Sequence, residues 1–180
     1  MDNEELAELI RAADAHYAKG HTDEAFETYT AVLQQDPTVA WAHSRIGAIL
    51  AQRGMLEAAQ QCLEKAMELD PELPQAQSNL GNIHYSRGEF DKAVERYQMA
   101  TKLDPTNPIY HENLHAAFKK QKKYMEAVKS LKHSHKLVRE KANSDTRSQF
   151  QGVKRRIGCT SVLVVSTLLI AALSLAFAIF

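Results

Sequence analysis

The fold is decided by residues 68–105, which read ELDPELPQAQSNLGNIHYSRGEFDKAVERYQMATKLDP. This stretch contains two Asp-Pro pairs, Asp70-Pro71 and Asp104-Pro105, and a third pair, Asp36-Pro37, lies 34 residues before the first. A proline restricts the residue before it and cannot continue a helix, so each pair marks a helix end. The constant 34-residue spacing predicts an array of helical units that bury their apolar faces only by stacking on each other.

Aligning the chain at this period brings matching residues into columns. Three columns hold small residues: Gly20, Gly54 and Gly88; Gly47 and Gly81; and Ala25, Ala59, Ala93 and Ala127. A fourth column alternates in residue type: Tyr29, Leu63, Tyr97 and Leu131. With Ile46-Gly47, Leu80-Gly81 and the Asp-Pro pairs, these columns resemble the tetratricopeptide repeat over about residues 6–139. The resemblance implies an all-α solenoid of antiparallel helix hairpins, with repeats at about 6–39, 40–73, 74–107 and 108–141.

Apolar residues recur three and four positions apart between these marks, as amphipathic helices require. The pattern predicts helices at 4–18, 22–35, 40–53, 56–69, 74–87, 90–103, 108–121 and 124–141. We expect Gly20, Gly54 and Gly88 to end the first helix of each hairpin in a left-handed conformation. Gly47 and Gly81 are mid-helix, where glycine costs about 1 kcal/mol relative to alanine, so neighbouring helices are expected to approach closely there.

The first and last repeats depart from the pattern. Ala12-Ala13 replaces the apolar–glycine pair in the first repeat, and His115, Lys122 and Arg139 replace two glycines and the proline in the fourth. The ends of a solenoid need a polar outer face, so both departures are expected to cap the array.

Charge divides the chain into three regions. Residues 1–117 hold 9 Lys+Arg against 19 Asp+Glu, a net of −10, whereas residues 118–156 hold 13 against 3, a net of +10. The remaining residues are uncharged. The sequence therefore describes an acidic body, a basic neck and an apolar segment.

In proteins that resemble this one, the first helix of each hairpin lines a concave face that holds a protein or peptide. The residues that we place in this groove are Arg11, Tyr17, Trp41, Arg45, Gln75, Asn79, Asn82, Tyr85 and Asn113. Asparagine can donate and accept hydrogen bonds to one peptide unit, so Asn79 and Asn113 are suited to an extended backbone. Arg11 and Arg45 are suited to backbone or acidic groups, and the aromatic residues to anchoring contacts. The alternative is that Trp41 packs between repeats and the asparagines are solvated.

A narrower version of this hypothesis fails. Family members that bind heat-shock chaperones clamp a terminal carboxylate with lysine, asparagine and arginine side chains. When that pattern is placed on repeats two to four, only Asn79 matches, and none matches on repeats one to three. No carboxylate clamp of that kind is expected.

The sequence lacks the signatures of an enzyme. It has no Gly-rich phosphate loop, His-Glu-x-x-His or Cys-x-x-Cys motif. His111 and His115 are one turn apart but have no third ligand, so they are interpreted as surface residues. We expect no cofactor, metal, small-molecule substrate or nucleic acid. The run Lys119-Lys120-Gln121-Lys122-Lys123 is interpreted as a site for lipid headgroups.

Residues 159–180 predict a single C-terminal transmembrane helix, because 22 uncharged residues suffice to cross a bilayer. A polar and basic linker is expected at 142–158. Lys154, Arg155 and Arg156 at its end would stay on the cytoplasmic side, which places the repeats in the cytoplasm. Cys159, at the expected interface, is a candidate for palmitoylation.

Together these features predict a tail-anchored, non-enzymatic adaptor that recruits a cytosolic protein or peptide to a lipid bilayer. The absence of basic residues after the span favours the endoplasmic reticulum or secretory system, with the mitochondrial outer membrane and a bacterial inner membrane as alternatives. Two other functions remain open at this point: an organelle-division factor resembling tail-anchored fission adaptors, and an import receptor or co-chaperone docking site.

Overall fold

The computed structural model describes residues 3–147, which form eight helices and no strand within that range. The first seven are α1 (Asn3–Ala18), α2 (Thr22–Gln35), α3 (Ala40–Gln52), α4 (Leu56–Leu69), α5 (Pro74–Ser86), α6 (Phe90–Leu103) and α7 (Pro108–Lys120). Residues 124–147 are helical as well and are called α8. The predicted ends of the first seven helices are confirmed to within one residue.

The predicted end of α8 at residue 141 is wrong, because the helix continues through residue 147, the last one described. The reason lies in the 34-residue register. Val138 and Arg139 stand where the earlier repeats have Asp and Pro, and both residues are compatible with a helix.

The chain divides into two compact units, residues 1–135 and 136–180. In the first unit, consecutive helices pair as hairpins, and the second helix of each hairpin also packs against the first helix of the next. The buried residues of α1–α5 form one continuous core, and α6 and α7 contribute a second cluster. In the second unit the described residues are helical and carry an ion pair between Lys136 and Glu140 at 3.8 Å.

A residue with positive φ ends the first helix of every hairpin. Gly54 has a φ of 77°, and the N–H that follows it donates to a carbonyl near the end of the helix, at 2.9 Å. Gly20 and Gly88 adopt the same conformation, as predicted. In the fourth hairpin the position is occupied by Lys122, with a φ of 61°. The turn is therefore kept without glycine, at a steric cost to the lysine.

The aspartates of the Asp-Pro pairs end the second helices. Asp36, Asp70 and Asp104 leave the helical conformation, and each carboxylate accepts the backbone N–H two residues ahead at 2.9–3.0 Å. The hydrogen bonds from Thr38 hold the pKa of Asp36 below its ordinary value. These local bonds fix the loop that brings the next hairpin back onto the stack.

Glycine within the first helices permits close packing inside a hairpin, as predicted. A Cβ on Gly81 would lie 2.6 Å from Cε1 of Tyr97, and one on Gly47 would lie 2.8 Å from Cγ of Leu63. Both distances are too short for real atoms. The cost of a mid-helix glycine is thus offset by a tight helix–helix contact.

The tyrosine–leucine column on the second helices is matched by a column on the first helices that alternates between polar and apolar residues. The Tyr29 hydroxyl donates to Asp14, and the Tyr97 hydroxyl donates to Asn82 at 2.8 Å. In the second hairpin the corresponding residues are Leu63 and Ala48, both buried and apolar. A buried hydroxyl needs a partner, so tyrosine occurs where the first helix supplies an acceptor.

Polar side chains also join successive hairpins at their turns. Arg53 is paired with Asp23, Arg87 lies 3.1 Å from Glu57, and Gln121 donates to Asp91 at 2.7 Å. Each of the three pairs spans 30 residues. Because these pairs are exposed, each adds little stability, but together they place the turns of the four hairpins along one edge of the first unit.

The expectation of a polar outer face at the fourth repeat is wrong at the start of α8. Tyr124, Met125 and Val128 expose 61, 81 and 47% of their surface. The 34-residue period gives the reason. In the earlier hairpins the next helix packs near the corresponding positions, whereas no described helix follows α8.

None of the helices within residues 3–147 is long and apolar enough to cross a membrane. The predicted span at 159–180 and most of the predicted linker lie outside the described residues.

Replacing Gly81 with alanine is expected to lower the free energy of unfolding by about 1–3 kcal/mol, because the added methyl overlaps the Tyr97 ring. Urea denaturation followed by circular dichroism measures the change. In a Tyr97→Ala background the penalty of Gly81→Ala should shrink. An equal penalty in both backgrounds would show that the contact with Tyr97 is not its cause.

Replacing Lys122 with glycine is expected to raise the free energy of unfolding by about 1 kcal/mol, since glycine adopts positive φ without a steric penalty. Lys123→Gly, one residue later, has no such strain to relieve and should destabilise. Thermal melts of the two variants make the comparison, and a loss of stability in Lys122→Gly would contradict the prediction.

Candidate protein-binding face

The predicted groove residues lie on α1, α3, α5 and α7, the first helices of the four hairpins. The structure divides them into three groups. Tyr17, Trp41 and Arg45 form a side-chain cluster between the first two hairpins. Asn79 and Asn82 line a cavity together with Tyr17. The others are Arg11, Gln75, Tyr85 and Asn113.

The guanidinium group of Arg45 lies between two aromatic rings. Its Cζ atom is 4.4 Å from the centroid of the Tyr17 ring and 4.0 Å from that of the Trp41 ring. Such cation–π contacts stabilise the charge and restrict the side chain to one orientation. Arg45 is thereby held across the junction between α1 and α3.

Asp14 orients this cluster. Its Oδ1 atom accepts hydrogen bonds from the Tyr29 hydroxyl and from the indole N–H of Trp41, the latter at 2.9 Å. Burial, followed by the hydrogen bond to Asp14, raises the pKa of Tyr29 well above its ordinary range. Tyr29 therefore stays a neutral donor to Asp14 at physiological pH.

The charge of Arg45 is only partly compensated. Its nearest carboxylate oxygen among the described residues is Oδ1 of Asp14 at 3.9 Å, beyond hydrogen-bond distance and already shared by two donors. Nε of Arg45 is buried and has no hydrogen-bond partner within residues 3–147. A quarter of the side chain remains exposed, at 25%. The arrangement presents a fixed, partly exposed cation that can donate hydrogen bonds to a further anionic or carbonyl group.

A cavity of about 300 Å³ adjoins this cluster through their shared residue, Tyr17. Asn79, Asn82 and Ser86 of α5 supply polar groups to it. The remaining lining residues are Ala48, Ala51, Gln52, Leu56 and Ile83. The lining thus mixes amide and hydroxyl groups with apolar side chains, and it can hydrogen-bond the backbone of a peptide segment.

The two asparagines of the cavity differ in their freedom. Oδ1 of Asn82 accepts the Tyr97 hydroxyl at 2.8 Å, which fixes the side chain but leaves its amide N–H groups available. No side chain among the described residues hydrogen-bonds to Asn79. Asn79 is thus the amide best placed to bond an incoming peptide unit.

The other predicted residues lie outside this cavity. Asn113 donates to Ser78 at 3.1 Å and so links α7 to α5. Tyr85 packs edge-on against Phe90, with the ring centroids 5.4 Å apart. Gln75 is half-buried and Arg11 is exposed. Their role in binding stays a prediction.

Sequence reasoning missed Asp14, although a signal was present. Asp14 occupies the position of Ala48 and Ala116 in the second and fourth hairpins, so a charged residue there departs from the column. Its pairing with Tyr29 is matched by Asn82 and Tyr97, 68 residues later.

His111 and His115 do not converge on a shared ligand position. His115 bonds the Ala127 carbonyl at 3.0 Å, whereas the His111 ring lies 4.2 Å from that of His133. Burial lowers the pKa of His111. Residues 3–147 bring together no group of three or more His, Cys, Asp or Glu side chains suited to a metal. The predicted basic flank, Lys154, Arg155 and Arg156, and Cys159 lie outside the described residues.

The comparison with protein families finds two matches. A model described as "TPR repeat" matches residues 47–86 and 81–122, and one described as "Tetratricopeptide repeat" matches residues 9–38. The matched segments include Tyr17 but neither Trp41 nor Arg45, since residues 39–46 lie between them. A search of curated proteins finds no match.

Solved structures similar to this chain include several of MamA. A crystal structure of MamA is 25% identical, with a TM-score of 0.63, over 77% of this chain and 81% of that one. The 41-end form of MamA from Desulfovibrio magneticus RS-1 is 24% identical, with a TM-score of 0.61, over 75% of this chain and 76% of that one. Because 314 chains match, the likeness supports a widespread fold and identifies no partner.

Replacing Asp14 with alanine is expected to lower the free energy of unfolding by about 2 kcal/mol, since two donors lose their acceptor. Trp41 is the only tryptophan of the chain, so its emission reports on this cluster directly. Its spectrum should shift to the red and become easier to quench with acrylamide. Asp14→Asn, which keeps an acceptor oxygen, should change the free energy of unfolding and the Trp41 emission much less than Asp14→Ala does. Equal effects of the two substitutions would show that the hydrogen bonds to Asp14 are unimportant.

Proposed function

We propose, from the premise that this chain is built of tetratricopeptide repeats, that it is a non-enzymatic adaptor that binds a protein segment on its first-helix face while held at a membrane. Stacked helical repeats of this kind form extended concave surfaces that are suited to binding another protein. The observation that carries the proposal is Arg45, which is fixed between Tyr17 and Trp41 with a quarter of its side chain exposed, while Tyr17 also lines the cavity.

The chemistry of the face defines the ligand class. Arg45 is suited to a carboxylate, and Asn79 to the N–H and C=O groups of an extended backbone. The body around them is acidic, with a net charge of −10 over residues 1–117, so a densely acidic ligand would be repelled. The proposed ligand is therefore an extended, mostly uncharged segment that carries one carboxylate.

Residues 159–180 are proposed to hold the adaptor in the bilayer as a single span. Support comes from the sequence: these 22 residues contain no charge, and Lys154, Arg155 and Arg156 precede them. Basic flanks remain on the cytoplasmic side, so the repeats would face the cytoplasm. The adaptor would then concentrate its ligand at that surface.

Fluorescence anisotropy tests the ligand class with the full chain in nanodiscs. The probes are labelled twelve-residue peptides of small uncharged residues, with no carboxylate, one, or one at every second position. We expect the single-carboxylate peptides to bind best and to alter Trp41 emission. Arg45→Gln should weaken the binding of the single-carboxylate peptides about tenfold, as expected for the loss of a hydrogen bond to a charged group. Asn79→Ala should weaken it somewhat less.

Arg53→Gln is the matched control. Arg53 also stacks on a ring, with Cζ 4.6 Å from the centroid of Phe26, but its charge is paired with Asp23. Thermal melts check that each variant is folded. Equal loss of peptide binding in Arg45→Gln and Arg53→Gln, or equal binding of all three peptide classes, would contradict the proposal.

A further inference from the structure

An apolar patch marks the start of α8. Among the described residues, seven large hydrophobic side chains are exposed, and three of them fall within five residues: Tyr124, Met125 and Val128. Met125 is the most exposed of the seven, at 81%. Exposed apolar side chains that are clustered, unlike scattered ones, indicate a surface that is covered in use.

The preceding hairpin shows that this exposure is special to the fourth. Val94, which corresponds to Val128, is 8% exposed, and Phe90, which corresponds to Tyr124, is half-buried. Asp91 corresponds to Met125 and is bonded by Gln121. The fourth hairpin has therefore exchanged a hydrogen-bonded acid for an apolar side chain that faces solvent.

Lysines flank the apolar patch on both sides in the sequence. Residues 119–132 contain six lysines and one acid, Glu126. Lys119, Lys120, Lys122 and Lys123 are all exposed. None of the six is ion-paired to another residue in the range 3–147. Their charge is free to act on a partner.

Two acids of the preceding hairpin lie near this surface but are already engaged. Glu89 and Asp91 line a depression of about 560 Å³ together with Lys123. Glu89 is hydrogen-bonded to Lys92 and His84, which lower its pKa, and Asp91 accepts from Gln121. Neither acid forms an ion pair with Lys119, Lys120, Lys122 or Lys123, and the four lysines outnumber these two acids.

We propose that the turn between α7 and α8 is a bilayer-docking site, separate from the apolar segment at 159–180. The side chains of Tyr124 and Met125 enter the headgroup region, and Lys119, Lys120, Lys122 and Lys123 bind anionic lipid headgroups. Exposed apolar side chains flanked in sequence by exposed lysines are the composition of surfaces that lie at a lipid interface. Docking would hold the repeats against the membrane surface.

The site is tested on the full chain with a polarity-sensitive NBD label at residue 125, using Met125→Cys in a Cys62→Ala, Cys159→Ser background. The protein is reconstituted into phosphatidylcholine vesicles with or without phosphatidylserine. Carbonate extraction first establishes that the chain is inserted, so failure of the span is detected separately. We expect NBD emission to shift to the blue, and its quenching from water to fall, only with phosphatidylserine.

A charge-matched pair of variants isolates the lysines. Replacing Lys119, Lys120, Lys122 and Lys123 with glutamine should abolish the shift, since each lysine near an anionic surface contributes about fivefold in binding. Replacing Lys19, Lys65, Lys92 and Lys102, which changes the net charge equally, should leave it unchanged. A label at Met99, another exposed methionine, should remain in water in every vesicle.

Two outcomes would overturn the proposal. If residue 125 stays accessible to the quencher in anionic vesicles, the turn does not dock. If it is protected equally in neutral vesicles and in detergent, a protein surface covers it, and the lipid assignment is wrong. Binding of single-carboxylate peptides at Arg45 is measured independently, so neither result depends on the proposed adaptor function.

Discussion

The contact between Gly81 and the ring of Tyr97 sets the spacing of the two helices in the third hairpin, and Gly47 does the same against Leu63 in the second. A tetratricopeptide hairpin has too little apolar surface to fold alone, so its two helices must approach closely before a neighbour can stack on them. Glycine in one helix admits a large side chain from the other. The buried tyrosine then creates a second requirement, because its hydroxyl needs an acceptor on the first helix.

That requirement leads directly to the candidate site. In the third hairpin the acceptor is the neutral Asn82, whereas in the first it is Asp14. A carboxylate can serve several donors, and Asp14 also receives the indole N–H of Trp41 from the next hairpin. Trp41 and Tyr17 in turn enclose Arg45. The acceptor that the buried Tyr29 hydroxyl needs inside the first hairpin thus also helps to orient Arg45 at the junction of the first two hairpins.

The fourth hairpin departs from the others in a consistent direction. Lys122 occupies a conformation that the earlier hairpins give to glycine, and Met125 occupies the position of an acid that joins hairpins. Both changes enrich one corner of the fold in lysine and exposed apolar surface.

The period, the ends of the first seven helices, the glycine turns and the close approach at Gly81 were predictable from the sequence, because each depends on local backbone chemistry. The end of α8 and the positive φ of Lys122 were not. The division of the predicted groove residues into three groups was not predictable from the sequence. Three results depend on how the helices pack against one another. Tyr85 packs against Phe90, Asn113 is bonded to Ser78, and Asp14 gathers three side chains. The helical period gives the side on which a residue lies, but only the packed tertiary structure decides which neighbour it meets.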